Sequence, residues 1–268
     1  MGKKRLDVLL FERALFDSQK MAQAAVMEGR VRADGRIVTK AGERLEESAD
    51  LEVADAPGKY VSRGGVKLEH ALKAFGVIVQ GRSAFDAGAS TGGFTDCLLQ
   101  NGAAHVVAAD VGYGQLAWRL RRDPRVEVWE RTNLRAPPPD LLHRWHNGID
   151  IMTLDLSFIS LCLIFPPLLP LLRAGSDIIA LVKPQFEAPR KLVGRKGVVE
   201  DPLAQVNAIR KIINLAMPLG LSTLNAVESP LRGPEGNLEF FLHLRNAPQN
   251  NGGRLDIETL VQSAHRSV

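Results

Sequence analysis

One stretch constrains this chain more than any other: Phe85-Asp86-Ala87-Gly88-Ala89-Ser90-Thr91-Gly92-Gly93-Phe94-Thr95. Ser83 to Asp86 has the character of the end of a buried strand, Gly88 to Gly93 is a tight turn of small residues, and Phe94 to Asn101 opens a helix. Glycines in such a turn let the backbone approach a ligand closely, and the helix N-terminus behind it presents unpaired N–H groups. A dinucleotide fingerprint would read G-x-G-x-x-G. Here the glycines fall at 88, 92 and 93, with Asp86 closing the strand before them. A second strand, His105 to Asp110, ends on another acid, placed where a carboxylate can accept both hydroxyls of a ribose. A glycine-rich turn and helix start with no ligand would show the same residues, so the case rests on what surrounds them.

The alternation continues downstream. Val126–Trp129, Ile149–Leu156, Asp177–Val182, Ser222–Glu228 and Leu238–Leu244 read as further strands, and Pro202–Met217 as a helix with Val206, Ile209, Ile213 and Ala216 at helical spacing. The fold class is α/β: a Rossmann-like, doubly wound sheet with helices on both faces, whose ligands gather beyond the carboxyl ends of the strands. Two strands end in charge there. Ile151 to Leu154 runs into Asp155, and Ile178 to Val182 into Lys183-Pro184. Charge beside a core is costly unless partnered, so Asp155 and Lys183 are expected to be neighbours, although a purely structural ion pair has the same sequence. Glu239, in the last strand, and Lys67, just inside a helix over Val66 to Phe75, could join them. A lysine at a helix N-terminus opposes the macrodipole, which hints at a task beyond solubility. That helix is expected to bury Val66, Ala71, Leu72 and Phe75, with Leu68 flanking.

Residues before the Pro57-Gly58 connection form a unit of their own. Leu6, Leu9, Leu10 and Leu15 fit one helical stripe. Ser18 has the character of an N-cap, Met21, Ala22, Ala25 and Val26 give a second apolar face, and Gly29 closes that helix. Short strands follow around Asp34-Gly35. The chain of 268 residues carries a formal charge of +4, which is compatible with a polyanionic partner without establishing one. Its two cysteines, Cys97 and Cys162, have no zinc-spaced companions, so neither a disulfide framework nor a metal site is expected. The most apolar run, Leu161 to Leu172, is shorter than a membrane span and contains three prolines. A cytoplasmic protein with no membrane association is the expectation.

Arg5-Leu6-Asp7, Ser18, Gly29-Arg30-Val31, Asp34-Gly35 and Lys40 together resemble the S-four, or alpha-L, RNA-binding domain. The resemblance implies that Lys20, Arg30, Arg32, Arg36 and Lys40 grip RNA, with Arg63 joining from the second domain. Contacts of that kind go to phosphate and give affinity rather than sequence choice. Gln19 departs from the family, where a basic residue often follows the serine, and a solvated face on a protein-docking module is the alternative. The glycine loop is closer to the Asp-x-Gly loop of S-adenosylmethionine enzymes than to a dinucleotide site. Lys67, Asp155, Lys183 and Glu239 match the Lys-Asp-Lys-Glu tetrad of FtsJ-like ribose 2′-O-methyltransferases. With Ser62-Arg63-Gly64-Gly65, Arg131-Thr132-Asn133, Asp155 to Ser160 and Lys183-Pro184-Gln185-Phe186-Glu187, the chain resembles the TlyA (hemolysin A) family of ribosomal RNA methyltransferases.

That resemblance implies transfer of a methyl group from S-adenosylmethionine to a ribose 2′-hydroxyl of ribosomal RNA, a cytidine, either in free RNA or in ribosomal subunits. It implies domains at 1–55 and 63–246, a linker at 56–62 and a C-terminal tail at 247–268, which reads as a short helix or a frayed end. Burial and a neighbouring cation can make a lysine a usable general base. Lys183 is that candidate, with Asp155 orienting it, Lys67 as the neighbouring cation that also holds the ribose, and Glu239 positioning Lys67 or the ribose. Asp86, Gly88, Ser90, Gly92 and Phe94 would surround the methionine portion of the cofactor, and Ala89, Thr91 and Gly93 of the same loop would also bind it. Asp110 and Val111 would lie at its ribose and Asn133 near adenine, and Gly112 and Gln115 could border the pocket. The Arg190 to Gly197 run reads as a mobile basic loop, with closure on RNA and plain solvation as its two alternatives. Two other functions fit less well. A ribosome assembly factor without turnover would not need a lysine base, and a membrane-lysing protein, suggested by the family's second name, would need apolar segments that are already assigned to the core.

Overall fold

Hydrophobic periodicity divides the chain into two packed units in a computed structural model, which describes residues 2–16, 19–27, 29–53, 59–247 and 255–266. In the first unit, β1 (Lys3–Arg5), α1 (Leu6–Glu12), α2 (Gln19–Met27), β2 (Val31–Ala33), β3 (Arg36–Val38), β4 (Arg44–Glu46) and β5 (Leu51–Val53) follow in order. Leu6, Leu9 and Leu10 of α1 meet Ala22, Ala25 and Val26 of α2 over Val31, Ala33 and Val38. Helix α1 stops at Glu12, so Leu15 lies beyond it and is exposed, as is Met21 at the outer edge of α2. Ser18, read as the cap of α2, lies outside the described residues. Asp34 and Gly35 adopt φ of 49° and 76° between paired β2 and β3, the left-handed geometry that a two-residue hairpin turn requires.

A buried carboxylate ties the two helices together. Asp7 accepts from Arg5 Nε at 3.0 Å, Arg5 Nη2 at 2.7 Å and Gln23 Nε2 at 2.7 Å. Burial pushes its carboxyl up, but these donors outweigh burial and hold it at about 2.

The second unit is a seven-stranded sheet flanked by helices. Its elements are α3 (Gly64–Phe75), β6 (Ser83–Ala87), α4 (Gly93–Gln100), β7 (His105–Ala109), α5 (Trp118–Arg121), β8 (Val126–Trp129), α6 (Pro139–Arg144), β9 (Ile149–Leu154), α7 (Phe165–Leu168), β10 (Leu172–Val182), α8 (Pro184–Glu187), α9 (Pro202–Ala216), β11 (Leu221–Glu228), β12 (Phe240–Asn246) and α10 (Ile257–Arg266). The strand order is β11-β12-β10-β9-β6-β7-β8. Strands β8, β7, β6, β9 and β10 run parallel, and β12 returns antiparallel between β10 and β11. The order reverses between β6 and β9, and at such a switch point the loops leaving the two strands diverge and open a crevice.

Alternation along the strands feeds two cores. Phe85, Val107, Met152, Ile178, Ala180 and Leu242 face α7, α9 and α10, whereas Ala84, Val106, Ile151, Ile179, Leu181 and Phe241 face α3 and α4. Tyr60 and Val61, within the stretch expected to be linker, are buried in the second of these cores. The C-terminal residues 257–266 form a docked helix rather than a frayed end: Ile257, Val261 and Ala264 are buried in the first core against α9. Among the described residues, no helix is long and apolar enough to cross a membrane.

Candidate active site

The chemistry-bearing residues meet at the carboxyl ends of β6, β9 and β10. Three pieces of local structure bring them there. The glycine loop leaves β6 and turns into α4. Gly88, at φ +88°, sits so close to the end of β9 that a Cβ would lie 2.6 Å from the Asp155 carbonyl oxygen. At Gly93 a Cβ would overlap Ser62 Oγ and stand 3.0 Å from Gly65 N, so only glycine lets the N-termini of α3 and α4 pack side by side.

Helix α3 turns its lysine inward. Lys67 is 4% exposed, whereas Val66, expected on the apolar face, is 41% exposed. Ala71 and Leu72 are buried as expected, Leu68, expected to flank the stripe, is buried with them, and Phe75 is only half-buried. The reason for the inward lysine is Glu239, 1% exposed, whose Oε2 accepts from Lys67 Nζ at 2.5 Å. Glu239 immediately precedes β12 instead of lying within it. Its other oxygen, Oε1, is buried and has no hydrogen-bond partner among the described residues.

Lys183 follows β10 directly. Its Nζ lies 2.6 Å from Asp155 Oδ1 and donates to Ser157 Oγ at 3.0 Å. Burial pushes the Asp155 carboxyl up, but Lys183, Lys67 and Arg63 together outweigh it and hold it below the usual carboxylate range. Two cation–anion pairs from four separate elements therefore share one cavity of about 320 Å³, whose wall includes Lys67, Asp155, Lys183, Glu239, Arg63 and the glycine loop.

Of the residues expected at a cofactor, Gly88, Ala89, Ser90, Thr91, Gly93 and Phe94 line this cavity. Asp110 lines a small hollow beside it, together with Ser90, Gly112, Gln115 and Glu130. The Asp110 carboxylate accepts from Ser90 N at 2.9 Å and Gly112 N at 2.6 Å, which fixes the rim of the glycine loop. Four expected residues lie elsewhere. Gly92 is buried against Leu116 and Leu120. Val111 is 76% exposed. Asn133 is exposed and its Oδ1 accepts from Arg135 N at 3.0 Å, closing a local turn.

Asp86 is fully buried beneath the loop. It accepts from Thr95 Oγ1 at 2.7 Å and Thr153 Oγ1 at 3.0 Å, and burial pushes its carboxyl up to about 7. The reason is register: Asp86 and Thr153 are directly paired across β6 and β9 and share the face turned toward α4. Two contributors went unassigned in the sequence. Ser157 follows Asp155 by two and receives Lys183, and Glu130 follows the end of β8, the same acid-at-strand-end signal that marked Asp110 and Asp155.

The expected RNA contacts fall in three groups. Lys20 and Arg63 line the cavity itself, from α2 and the start of α3. Arg32 and Arg36 are exposed on the β2–β3 hairpin, Arg32 donating to Gly35 O at 3.0 Å and Arg36 pairing with Glu43. Lys40 pairs with Glu235 of the second unit at 3.2 Å, and Arg30 is half-buried.

Similarity to known proteins accords with this arrangement. The profile of the FtsJ-like methyltransferase family matches residues 60–246, and that of the S4 domain matches residues 4–51. The Bacillus subtilis protein YqxC is 46% identical over 99% of this chain and 95% of its own length. A 16S/23S rRNA (cytidine-2′-O)-methyltransferase, TlyA, of Mycobacterium tuberculosis is 43% identical over 99% of this chain and 97% of its own. A solved structure from Streptococcus thermophilus, described as a candidate hemolysin, is 40% identical, covers 99% of this chain and 97% of that one, and superposes with a TM-score of 0.76. An S4 domain joined to an FtsJ-like catalytic sheet, with near full-length relatives on both sides of the comparison, makes this chain a member of the TlyA family of FtsJ-like methyltransferases.

Proposed function

We propose that this protein transfers the methyl group of S-adenosylmethionine to the ribose 2′-hydroxyl of a cytidine in ribosomal RNA, in the cytoplasm, with its S4 domain contributing affinity for RNA. The observation that carries this reading is the convergence of Lys183–Asp155 and Lys67–Glu239 on the wall that also holds the glycine loop. The activity in the names of the relatives supports it.

The residues fit the cofactor on their own chemistry. Gly88 to Thr91, Gly93 and Phe94 offer a backbone cradle at the start of α4, Arg63 offers a cation for a carboxylate, and Asp110, directly after β7, offers an acceptor for a ribose. S-adenosylmethionine, when bound, supplies an electrophilic methyl group and leaves as a neutral thioether. Everything else falls to the chain. A ribose hydroxyl is a weak nucleophile at neutral pH, so a positioned base must take its proton as the carbon–oxygen bond forms.

Lys183 is the residue placed to take that proton. Two of its directions are engaged, toward Asp155 Oδ1 and Ser157 Oγ, which leaves the third for the substrate oxygen. After transfer the resulting ammonium is stabilised by Asp155 and gives its proton to solvent. Lys67, fixed by Glu239, holds the ribose by donating to its oxygens, and the unpartnered Oε1 of Glu239 can accept from a neighbouring hydroxyl. Holding oxygen and methyl at attack distance supplies much of the remaining acceleration.

The test is transfer of labelled methyl to ribosomal RNA or subunits, with the modified position mapped, for the wild type and for Lys183→Ala and Asp155→Ala. Loss of the base should lower the rate by about 10²–10⁴-fold with cofactor affinity little changed. Unchanged rates in both variants would remove the catalytic assignment, and modification at a base nitrogen or carbon would remove the reaction.

A further inference from the structure

We propose that Glu187 is a positioning residue for methyl transfer, acting as a clamp that fixes the distance between the two loops carrying Asp155 and Lys183. This rests on the reading of the site given above. The paired residues of β9 and β10 end at Leu154 and Ala180. Asp155 and Lys183 therefore lie beyond the last registered pair, where no ladder hydrogen bond sets their separation. Asp155 N donates to Ala87 O at 3.0 Å, which anchors it toward β6 and away from β10.

Glu187 spans that gap. It lies at the end of the one-turn helix α8, four residues after Lys183, and is 5% exposed. Its Oε1 accepts from Leu161 N at 2.7 Å and its Oε2 from Ser160 Oγ at 2.6 Å, both on the loop that begins with Asp155 and Ser157. Lys211 of α9 completes the node. Its Nζ donates to Glu187 Oε2 at 2.9 Å, to Glu187 O at 3.0 Å and to Ser160 Oγ at 3.3 Å. A carboxylate buried this deeply is costly unless its charge and lone pairs are met, and here two backbone or hydroxyl donors and one ammonium meet them. Phe158 and Phe186 also meet across this gap, with ring centroids 5.2 Å apart, but Phe158 is 84% exposed and so constrains little.

The clamp thus joins the exit of β9, the exit of β10 and α9 on the side of the sheet away from α3. Its effect reaches the chemistry through position alone, since Glu187 does not line the cavity that holds the tetrad. Displacing a reacting group by about 1 Å can cost on the order of 10²-fold in rate.

The experiment compares wild type, Glu187→Ala, Glu187→Gln and Lys211→Met for methyl transfer at saturating RNA and S-adenosylmethionine, with cofactor affinity by calorimetry and melting temperature measured in parallel. The expected result for Glu187→Ala is a fall in kcat of about 10–100-fold with cofactor affinity within about threefold. Glu187→Gln keeps an acceptor for Leu161 N and should recover about tenfold of that loss. Lys211→Met should fall between the two. An alanine variant with wild-type kcat would overturn the proposal. So would a glutamine variant no better than alanine when both melt together, or losses that follow the melting temperature across all three variants. A wild-type protein without methyl transfer would instead refute the underlying function, and the two failures are distinct.

Discussion

Replacing Asp86 with asparagine should change the pH dependence of stability more than the stability itself. Asp86 is wholly buried between β6, β9 and α4, and its carboxyl is raised from 3.8 to about 7, by burial first, against the two threonine hydrogen bonds that oppose the rise. In the unfolded chain the same group ionises near its ordinary value. The folded state therefore holds this proton more tightly than the unfolded state. Its contribution to stability is fully present below about pH 4, erodes as pH rises, and is lost once pH passes about 7. At about 1.4 kcal/mol for each tenfold change in proton affinity, the whole loss is on the order of 4 kcal/mol, of which about 2–3 kcal/mol falls between about pH 5 and about pH 8. Asparagine cannot ionise, and it can still bond both threonine hydroxyls, since a hydroxyl donates or accepts as required. Urea unfolding followed by tryptophan fluorescence isolates the relevant domain, because Trp118, Trp129 and Trp145 all lie in the second unit. Asp86→Asn should gain on the wild type by about 2–3 kcal/mol between the two pH values, with an unchanged denaturant slope. Parallel pH curves for the two proteins would refute the reasoning, because they would mean that Asp86 ionises as easily folded as unfolded.

Two other perturbations test the ion pairs. Glu239→Gln removes the partner of Lys67 while keeping its shape, and leaving that buried ammonium unpaired should cost about 3 kcal/mol or more in thermal or urea unfolding; a neutral result would mean that Lys67 escapes to solvent. Asp7→Asn should destabilise the first unit by about 1–2 kcal/mol at neutral pH, read as faster amide exchange in α1 and α2. The wild-type advantage is complete above about pH 4 and disappears as pH falls through about 2, so the gap between the two proteins should close in acid.

Much of the site was legible because burial and charge conflict openly in the sequence. Asp155 and Lys183 each end an apolar run, and a charge in that place demands a partner, so their contact followed from the chain alone. The glycine loop was legible for a similar reason: Gly88 and Gly93 occupy positions that no side chain could share. The alternation of strands and helices announced the sheet, although β10 begins at Leu172, across a register irregularity before Asp177, and β12 begins at Phe240 rather than Leu238. Asp86 was harder. An acid closing a strand before a glycine turn reads the same whether it faces the ligand or the layer beneath, and only its pairing with Thr153 across β6 and β9 turns it toward α4.

Sequence by itself pointed to two units, a doubly wound α/β sheet and which ionisable groups had to find partners, because those follow from local periodicity and from the cost of burying charge. Tertiary structure decided direction and distance. It turned Lys67 inward and Val66 outward because Glu239 waits 172 residues away, it left Asn133 on a surface turn, and it docked α10 on α9 where the sequence left a short helix or a frayed end. It also produced the Glu187 node, in which a carboxylate that the sequence showed only as the end of the Lys183 to Glu187 motif meets Ser160, Leu161 and Lys211 from two other segments. Contacts of that kind depend on how far apart packed layers come to rest, and no stretch of a few residues encodes a separation set by the whole core.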